Sequence, residues 1–70
     1  MELRNVNSSN LSQIGFDIKT NTLRIVFTTG AVYDFFEVDE QLFRHLLQAP
    51  SKGKFFHKYI KNRYNCEIVK

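Results

Sequence analysis

Residues 23–35, Leu23-Arg-Ile-Val-Phe-Thr-Thr-Gly-Ala-Val-Tyr-Asp-Phe35, decide the fold of this chain because they encode two strands and the turn between them. Side chains on both sides of Gly30 alternate with period two, which is typical of half-buried strands. A two-residue turn would need a positive φ at Thr29, which a β-branched residue resists. A three-residue loop, 28–30, needs a positive φ only at Gly30, so we predict this loop.

The three-residue loop also sets the register of the hairpin. The pairs that it places opposite each other are Ile25 with Tyr33, Leu23 with Phe35, and Arg24 with Asp34. A two-residue turn would instead push Asp34 into the apolar face. Because a slip of one residue moves every side chain to the other face, the agreement between pattern and turn chemistry supports the longer loop.

An earlier stretch, 13–18, alternates in the same way and predicts a strand that joins 23–28 through a four-residue loop, 19–22. This loop pairs Ile18 with Leu23 and Asp17 with Arg24. On the polar face, Arg24 would then lie between Asp17 and Asp34. The predicted apolar face consists of Ile14, Phe16, Ile18, Leu23, Ile25, Phe27, Tyr33 and Phe35.

Two helices are predicted after the hairpin. Asp39 is a favourable N-cap for the first, and Val38 and Phe43 are placed for a hydrophobic staple. Pro50 ends this helix, because the residue before a proline avoids helical dihedrals. Ser51 caps the second helix, whose apolar side carries Phe55, Phe56, Tyr59, Ile60 and Tyr64.

The order β-β-β-α-α predicts a single α+β domain over residues 1–70, with a three-stranded antiparallel sheet and two short helices packed on one face. The other face stays partly open. Residues 66–69 are compatible with a short edge strand. Arg63 falls near the middle of the second helix's apolar side, so either the helix ends before it or its guanidinium group pairs with an acid.

Composition limits the class of protein. The 70 residues include seven phenylalanines and three tyrosines, which are enough for one small core. Cys66 is the only cysteine, so no internal disulfide can form. No apolar run approaches the roughly 20 residues of a membrane span, and the N-terminus lacks the layout of a signal peptide. We therefore expect a cytoplasmic protein.

The positive charge is concentrated in the C-terminal part of the chain. Residues 44–66 contain no acid, although the net charge of the whole chain is only +3. Clustered cations are typical of contact with nucleic-acid phosphates. The alternative is a solvated helix face, although such faces normally mix both signs of charge. The candidate nucleic-acid-binding residues are Lys52, Lys54, Lys58, Lys61 and Arg63.

Two further features have both a functional and a structural interpretation. The start of the second helix, 51–54, could hold a phosphate on its free amides, or Ser51 could be a plain cap with Gly53 there for close packing. Tyr33 and Phe35 could stack on nucleobases, as aromatic strand residues do in some RNA-binding proteins. The predicted register points both rings toward the helices, which favours core packing.

The open sheet face is a candidate for protein interaction. Val26, Val32 and Phe36 share it with the charged residues, and an apolar patch with a charged rim resembles a partner-binding surface. The alternative is that a terminal segment, 1–8 or 66–70, folds over this face and covers it.

Catalysis is not expected from this sequence. His45, His57 and Cys66 are the only residues of base, nucleophile or soft-ligand type beyond the hydroxyls. They lack zinc-ligand spacing, and Cys66 has no base signature beside it. We therefore expect no catalytic residue, no metal and no cofactor.

Several short landmarks occur along the chain in one order. They are Val6-x-Ser8-Ser9-Asn10-Leu11, Ile14-Gly15-Phe16-Asp17, Leu23-x-Ile25-x-Phe27-x-x-Gly30-x-x-Tyr33-x-Phe35-x-x-Val38, Leu46, Ala49-x-Ser51-x-Gly53-x-Phe55-Phe56 and Ile60-x-x-x-Tyr64. Together they resemble the KTSC domain, a family named for its occurrence at the C-terminus of some lysyl-tRNA synthetases. The resemblance covers residues 6–64 and implies a small bacterial or phage protein, or a module appended to larger proteins. The family's central pair of alternate tyrosines corresponds here to Tyr33 and Phe35.

The sequence thus predicts a small non-enzymatic binding module that binds nucleic acid, with RNA favoured, through its basic C-terminal helix. The synthetase fusion supports RNA by analogy only. The alternative is a protein-interaction module, either an inhibitor-type phage or bacterial protein that binds a host protein or a homodimer formed through the open sheet face. No membrane partner is expected. Phosphate contacts would make binding steeply salt-dependent, which separates the two hypotheses.

Overall fold

The computed structural model describes all residues 1–70 and contains a five-stranded antiparallel sheet and two helices. The strands lie in chain order across the sheet, so that the first and last strands form its edges. The helices are α1 (Glu40–Gln48) and α2 (Lys52–Tyr59). The strands are β1 (Leu3–Asn5), β2 (Leu11–Asp17), β3 (Thr22–Phe27), β4 (Val32–Phe35) and β5 (Cys66–Ile68).

The predicted α+β class is confirmed, but the three-stranded sheet is wrong because both termini add a strand. β5 pairs with β4, and it lies within residues 66–69, which the sequence indicates as compatible with a short edge strand. β1 pairs with β2, with Leu3 opposite Gly15, and all of its residues are exposed. A strand that is attached mainly by its backbone ladder leaves no periodic burial pattern in its side chains, so the sequence contains no signal for it.

The hairpin of β3 and β4 has the predicted register. Ile25 lies opposite Tyr33 and Leu23 opposite Phe35. The amide of Phe27 donates to the carbonyl of Ala31 at 2.9 Å, which closes the three-residue loop 28–30. Gly30 has a φ of 96°, as the loop requires.

The register between β2 and β3 differs from the prediction by two residues. Phe16 rather than Ile18 lies opposite Leu23, and Ile18 is 63% exposed. A shift of two residues preserves the faces of a strand because side chains alternate with period two. Apart from Ile18, all predicted members of the apolar face belong to the core or pack against it.

Turn chemistry explains this shift. The carboxylate of Asp17 accepts a hydrogen bond from the amide of Lys19 at 3.0 Å, so the chain begins to turn directly after Asp17. Asn21 has a φ of 54°, a conformation that asparagine tolerates better than most residues. The loop therefore runs from 18 to 21, one residue earlier than predicted.

Both predicted helix caps are confirmed. The carboxylate of Asp39 accepts a hydrogen bond from the amide of Gln41 at 2.9 Å, and the hydroxyl of Ser51 accepts one from the amide of Lys54 at 3.4 Å. Ala49 is extended, with φ −65° and ψ 135°, as expected before Pro50. Neither α1 nor α2 is long and apolar enough to cross a membrane.

The core lies between the sheet and the two helices. Complete burial of one large apolar side chain contributes about 1.5–3 kcal/mol to the free energy of unfolding. Leu11 and Val38, which were not predicted core residues, are buried beside the expected ones. The buried cluster consists of Leu11, Ile14, Leu23, Ile25, Phe35, Val38, Leu46, Phe56 and Ile60.

Candidate functional site

A broad concavity of about 680 Å³ lies between the loop 7–10 and the first turns of α2. Its lining is polar or basic apart from one proline and one glycine, and it includes no acid. We call it the basic basin. Its lining residues are Asn7, Ser8, Ser9, Asn10, Pro50, Ser51, Lys52, Gly53, Lys54, His57 and Lys58.

Gly53 allows the two walls of the basic basin to approach each other. A Cβ atom at this position would lie only 2.5 Å from Oδ1 of Asn10, too close for any real contact. The hydroxyl of Ser8 donates to the same Oδ1 atom at 3.3 Å. The close packing at Gly53 and the cap by Ser51 that the structural interpretation predicts are both present at the helix start.

The lysines of α2 differ in how they are engaged. Lys52 is half-buried, and its Nζ donates to the carbonyl of Ala49 at 3.1 Å, near the end of α1. Lys54 and Lys58 are exposed, and Nζ of Lys58 lies 5.3 Å from the centroid of the Tyr59 ring. The ion pairs of the chain join Arg24 to Asp34 and Arg44 to Glu40, so no lysine of α2 is neutralised by an acid.

Arg63 does not join the other predicted cations. α2 ends at Tyr59, so the alternative in which the helix ends before Arg63 is confirmed. The Nε atom of Arg63 donates to the carbonyl of Lys58 at 3.1 Å. Its side chain lines a separate depression together with Phe36 and Glu37. The structure thus brings Lys52, Lys54 and Lys58 to one basin and places Arg63 elsewhere.

A second cavity, an open groove of about 340 Å³, lies between α2 and the edge of the sheet at β4 and β5. We call it the aromatic groove, because four aromatic rings line it together with a few polar groups. Lys61, the remaining predicted cation, lies here. The lining residues are Phe27, Tyr33, Phe35, Phe56, His57, Lys61, Asn62 and Cys66.

The rings of the aromatic groove form one connected set. Tyr33 and Phe35 lie nearly parallel, with ring centroids 6.3 Å apart and an interplanar angle of 26°. Phe27 meets Tyr33 edge to face at 5.7 Å, and Phe56 meets Phe35 edge to face at 5.5 Å. His57 lines both the aromatic groove and the basic basin, so the two cavities adjoin at this residue.

Core packing was the favoured interpretation of Tyr33 and Phe35, and it holds fully only for Phe35. Phe35 is 4% exposed, whereas Tyr33 is half-buried. Tyr33 packs against the buried cluster and also lines the aromatic groove. Cys66 lines this groove as an exposed free thiol.

The sheet face that points away from the helices, the open face, carries the predicted protein-interaction residues. Val26 lies opposite Val32 across β3 and β4, and both are half-buried. Phe36 follows the end of β4 and is also half-buried. The termini form edge strands on either side of the sheet. On the β1 side, Met1 and Leu3 lie close over Gly15, the residue opposite Arg24.

One ion pair dominates the charged part of the open face. The guanidinium group of Arg24 makes two hydrogen bonds to the carboxylate of Asp34, at 2.7 and 2.9 Å. The hydrogen bond to Asp34, and then its negative charge, raise the pKa of Arg24 above its usual value against the opposing effect of burial. The predicted ladder with Asp17 is wrong, because the shifted register puts Gly15 opposite Arg24.

A family model described as the KTSC domain matches residues 7–64. The chain belongs to the KTSC domain family. The resemblance read from the sequence is therefore confirmed, and its landmarks contribute to both walls of the basic basin and to the aromatic groove. No three His, Cys, Asp or Glu side chains of this KTSC domain come together as metal ligands.

Individual relatives place the KTSC domain both inside larger proteins and alone. The chain is 41% identical over 57 residues to a lysine–tRNA ligase of Nostoc punctiforme, a match that covers 81% of this chain and 10% of the ligase. This chain thus spans about a tenth of the length of that enzyme. A protein of Tsukamurella paurometabola is 36% identical over 61 residues, which cover 87% of this chain and 91% of that protein.

A solved structure has the same fold. The crystal structure of a KTSC domain protein from Yersinia pestis matches with a TM-score of 0.96 and 30% sequence identity. The match covers 99% of this chain and 97% of the other. The five-stranded sheet with two helices is therefore the fold of both proteins.

Proposed function

We propose that this KTSC domain is a non-enzymatic module that binds nucleic acid, with RNA favoured, through the basic face of α2. The observation that carries the proposal is the basic basin, where Lys54 and Lys58 stand without any acid to neutralise them. Lys61 follows on the adjoining aromatic groove. These three lysines are exposed.

Electrostatics favours a polyanion as the ligand. Lys54 and Lys58 are about one helical turn apart on α2, and like charges at such spacing destabilise a helix by a few tenths of a kcal/mol. Lys61 follows shortly after the end of the helix and adds a third cation. Phosphates would relieve this repulsion, and release of the counterions around the polyanion would drive binding. A face kept only for solubility would normally carry acids among the lysines.

Two observations favour RNA over DNA. Lysine–tRNA ligases are among the proteins that contain a segment similar to this chain. The basic basin also presents short polar side chains, Ser8, Ser9 and Asn7, beside the lysines. Such groups can hydrogen-bond to the 2′-hydroxyl, the group by which proteins distinguish RNA from DNA.

The test compares two variants with the same change of charge. In the first, Lys54, Lys58 and Lys61 are replaced by Glu; in the control, Arg4, Lys19 and Lys70, which are exposed and distant in sequence from α2, are replaced by Glu. Binding to a mixed-sequence single-stranded RNA is measured by fluorescence anisotropy at low salt. We expect the first variant to lose at least about tenfold in affinity, and the control to lose much less, because local phosphate contacts supply the binding.

Circular dichroism and thermal melting serve to show that both variants fold. Equal losses in the two variants would mean that net charge alone attracts the RNA. If neither the wild type nor the control binds at low salt, the nucleic-acid proposal is wrong.

A second candidate function is protein interaction, including self-association as a homodimer or inhibition of a host protein. It is favoured by the half-buried apolar pair Val26 and Val32 on the open face, with Phe36 beyond them. Analytical ultracentrifugation of the wild type and of Phe36→Ser tests self-association. A dimer that the substitution dissociates, with RNA binding absent, would favour this alternative.

A further inference from the structure

We infer that the aromatic groove accepts one unpaired nucleobase of the bound strand, so that the domain selects single-stranded nucleic acid over duplex. This inference rests on the proposed function and adds the class of ligand. Phosphates would lie along the lysines of the basic basin, and the base next to them would enter the groove. The two cavities adjoin at His57, which lines both.

The walls of the groove suit a flat aromatic ligand. Tyr33, Phe27 and Phe56 surround an open space of about 340 Å³, which lies at the small end of the range for ligand pockets. Bases that are splayed out of a strand stack on aromatic side chains, and each stack contributes on the order of tenfold to affinity. A base inside a duplex is already covered on both faces, so only an unpaired base can enter.

The polar groups of the groove are few and accessible. The hydroxyl of Tyr33 has no hydrogen-bond partner within the chain, and no buried polar side-chain atom is left unpaired. The hydroxyl therefore faces solvent, where it can donate to or accept from the edge of a base. Asn62 and His57 line the same opening. An apolar groove with a small number of polar groups is the usual form of a site for a small flat ligand.

Charge favours a nucleobase over an apolar protein segment as the occupant. Lys61 lies on the groove, and no acid lines either the groove or the adjoining basin. A nucleotide supplies both a ring for the aromatic walls and a phosphate for the neighbouring lysines. An apolar peptide would leave these cations without a counterpart.

The first experiment separates the base from the phosphate. Affinity is measured for three RNA ligands of equal length: a single strand, the same strand with abasic sites throughout, and a duplex. The abasic strand keeps its phosphates and therefore reports the proposed function alone. We expect the intact strand to bind roughly tenfold more tightly than the abasic strand and than the duplex, because stacking of one base is worth about this much.

A groove variant tests the wall itself. Tyr33→Leu keeps apolar bulk against the core but removes the ring, and thermal melting confirms that it folds. We expect it to lose roughly tenfold in affinity for the intact strand and nothing for the abasic strand. Tyr59→Leu is the matched control, because Tyr59 is 43% exposed on α2 and does not line the groove.

A spectroscopic measurement tests the groove without removing the ring of Tyr33. The chain has no tryptophan and only three tyrosines, so replacing Tyr59 and Tyr64 by Phe leaves Tyr33 as the single reporter. Its fluorescence lifetime should shorten when the intact strand binds and stay unchanged with the abasic strand. A protein with Tyr59 as the only tyrosine should show no such difference.

The outcomes distinguish failure of the inference from failure of the proposed function. If the intact and abasic strands bind equally and the lifetime of Tyr33 does not change, the groove is not a base site, although the binding function stands. If no ligand binds at low salt, both are wrong. If Tyr33→Leu alters self-association and leaves RNA affinity unchanged, a second copy of the chain occupies the groove and the inference is overturned.

Discussion

Gly30 has a φ of 96° at the end of the loop between β3 and β4, in the region that residues with a Cβ atom rarely adopt. A Cβ atom at this position would have no neighbour within 4 Å. The requirement for glycine is therefore one of backbone conformation and not of space. It determines the register that places Tyr33 and Phe35 on the inner face of the sheet.

We predict that Gly30→Val destabilises the domain by about 1–3 kcal/mol, the usual cost of holding a non-glycine residue in a disfavoured region of φ. Gly30→Asn should cost less, since asparagine tolerates positive φ. Urea unfolding monitored by circular dichroism measures both. Equal midpoints for the valine variant and the wild type would show that the loop does not depend on glycine.

The ion pair between Arg24 and Asp34 is the other single contact with a clear expectation. The side chain of Asp34 is only 15% exposed and binds the guanidinium group through both oxygens. We predict that Asp34→Asn costs about 0.5–1 kcal/mol, at the upper end for pairs near a surface. Glu40→Gln is the control, because the pair of Glu40 with Arg44 is well exposed and should contribute only a few tenths of a kcal/mol.

Salt provides the second measurement on these two variants. The destabilisation by Asp34→Asn should shrink when the denaturation is repeated in 1 M salt, where charges are screened within about 3 Å. A cost that exceeds this range and is indifferent to salt would indicate lost packing instead of lost charge.

At the scale of the element, α2 determines both the stability of the domain and the form of its candidate site. Phe56 points into the core and is 5% exposed, while Tyr59 on the same helix is 43% exposed. Phe56 and His57 of α2 line the aromatic groove, and so do Lys61 and Asn62, which follow the end of the helix at Tyr59. One short helix thus closes the core and leaves a row of lysines and an aromatic opening at the surface.

We predict that Phe56→Ala destabilises the domain by about 3–5 kcal/mol, because it leaves a cavity in the centre of the core. This is a large part of the total stability of a domain of this size. Tyr59→Ala, an aromatic change on the same helix, should cost less than about 1 kcal/mol because the ring is largely in solvent. Thermal unfolding compares them, and similar midpoints for the two variants would show that α2 is peripheral to the core.

At the scale of the whole molecule, the fold collects the lysines of α2 and the loop 7–10 into one surface. Segments that are more than 40 positions apart in the chain form the two walls of the basic basin. We predict that the affinity for single-stranded RNA falls with a slope of about −2 in a plot of log K against log salt concentration, since three lysines contribute roughly 0.7 each.

Lys54→Gln should make this slope shallower by about 0.7, and Lys19→Gln, in the loop between β2 and β3, should leave it unchanged. Anisotropy titrations at several concentrations of KCl provide the measurement. A slope near zero for the wild type would point to an apolar interface and so to the open face.

The sequence by itself determined the features that depend on neighbours in the chain. Turn chemistry at Gly30 determines the hairpin register, and the side chains of Asp39 and Ser51 begin the two helices through hydrogen bonds that span only two or three residues. Alternation with period two determines which face of β2, β3 and β4 is apolar, even where the register of β2 shifts by two. All of these features follow from local stereochemistry, which does not depend on the tertiary context.

Only the tertiary structure decided which distant segments meet. β1 attaches to β2 mainly through backbone hydrogen bonds, which leave no side-chain pattern to detect. Asn10 meets Gly53, Tyr33 stays half-buried at the aromatic groove, and the side chain of Arg63 binds the carbonyl of Lys58. The physical reason is that contacts between distant segments depend on where each helix ends and on how closely two backbones approach each other. The order of charged and apolar residues along the chain specifies neither of these.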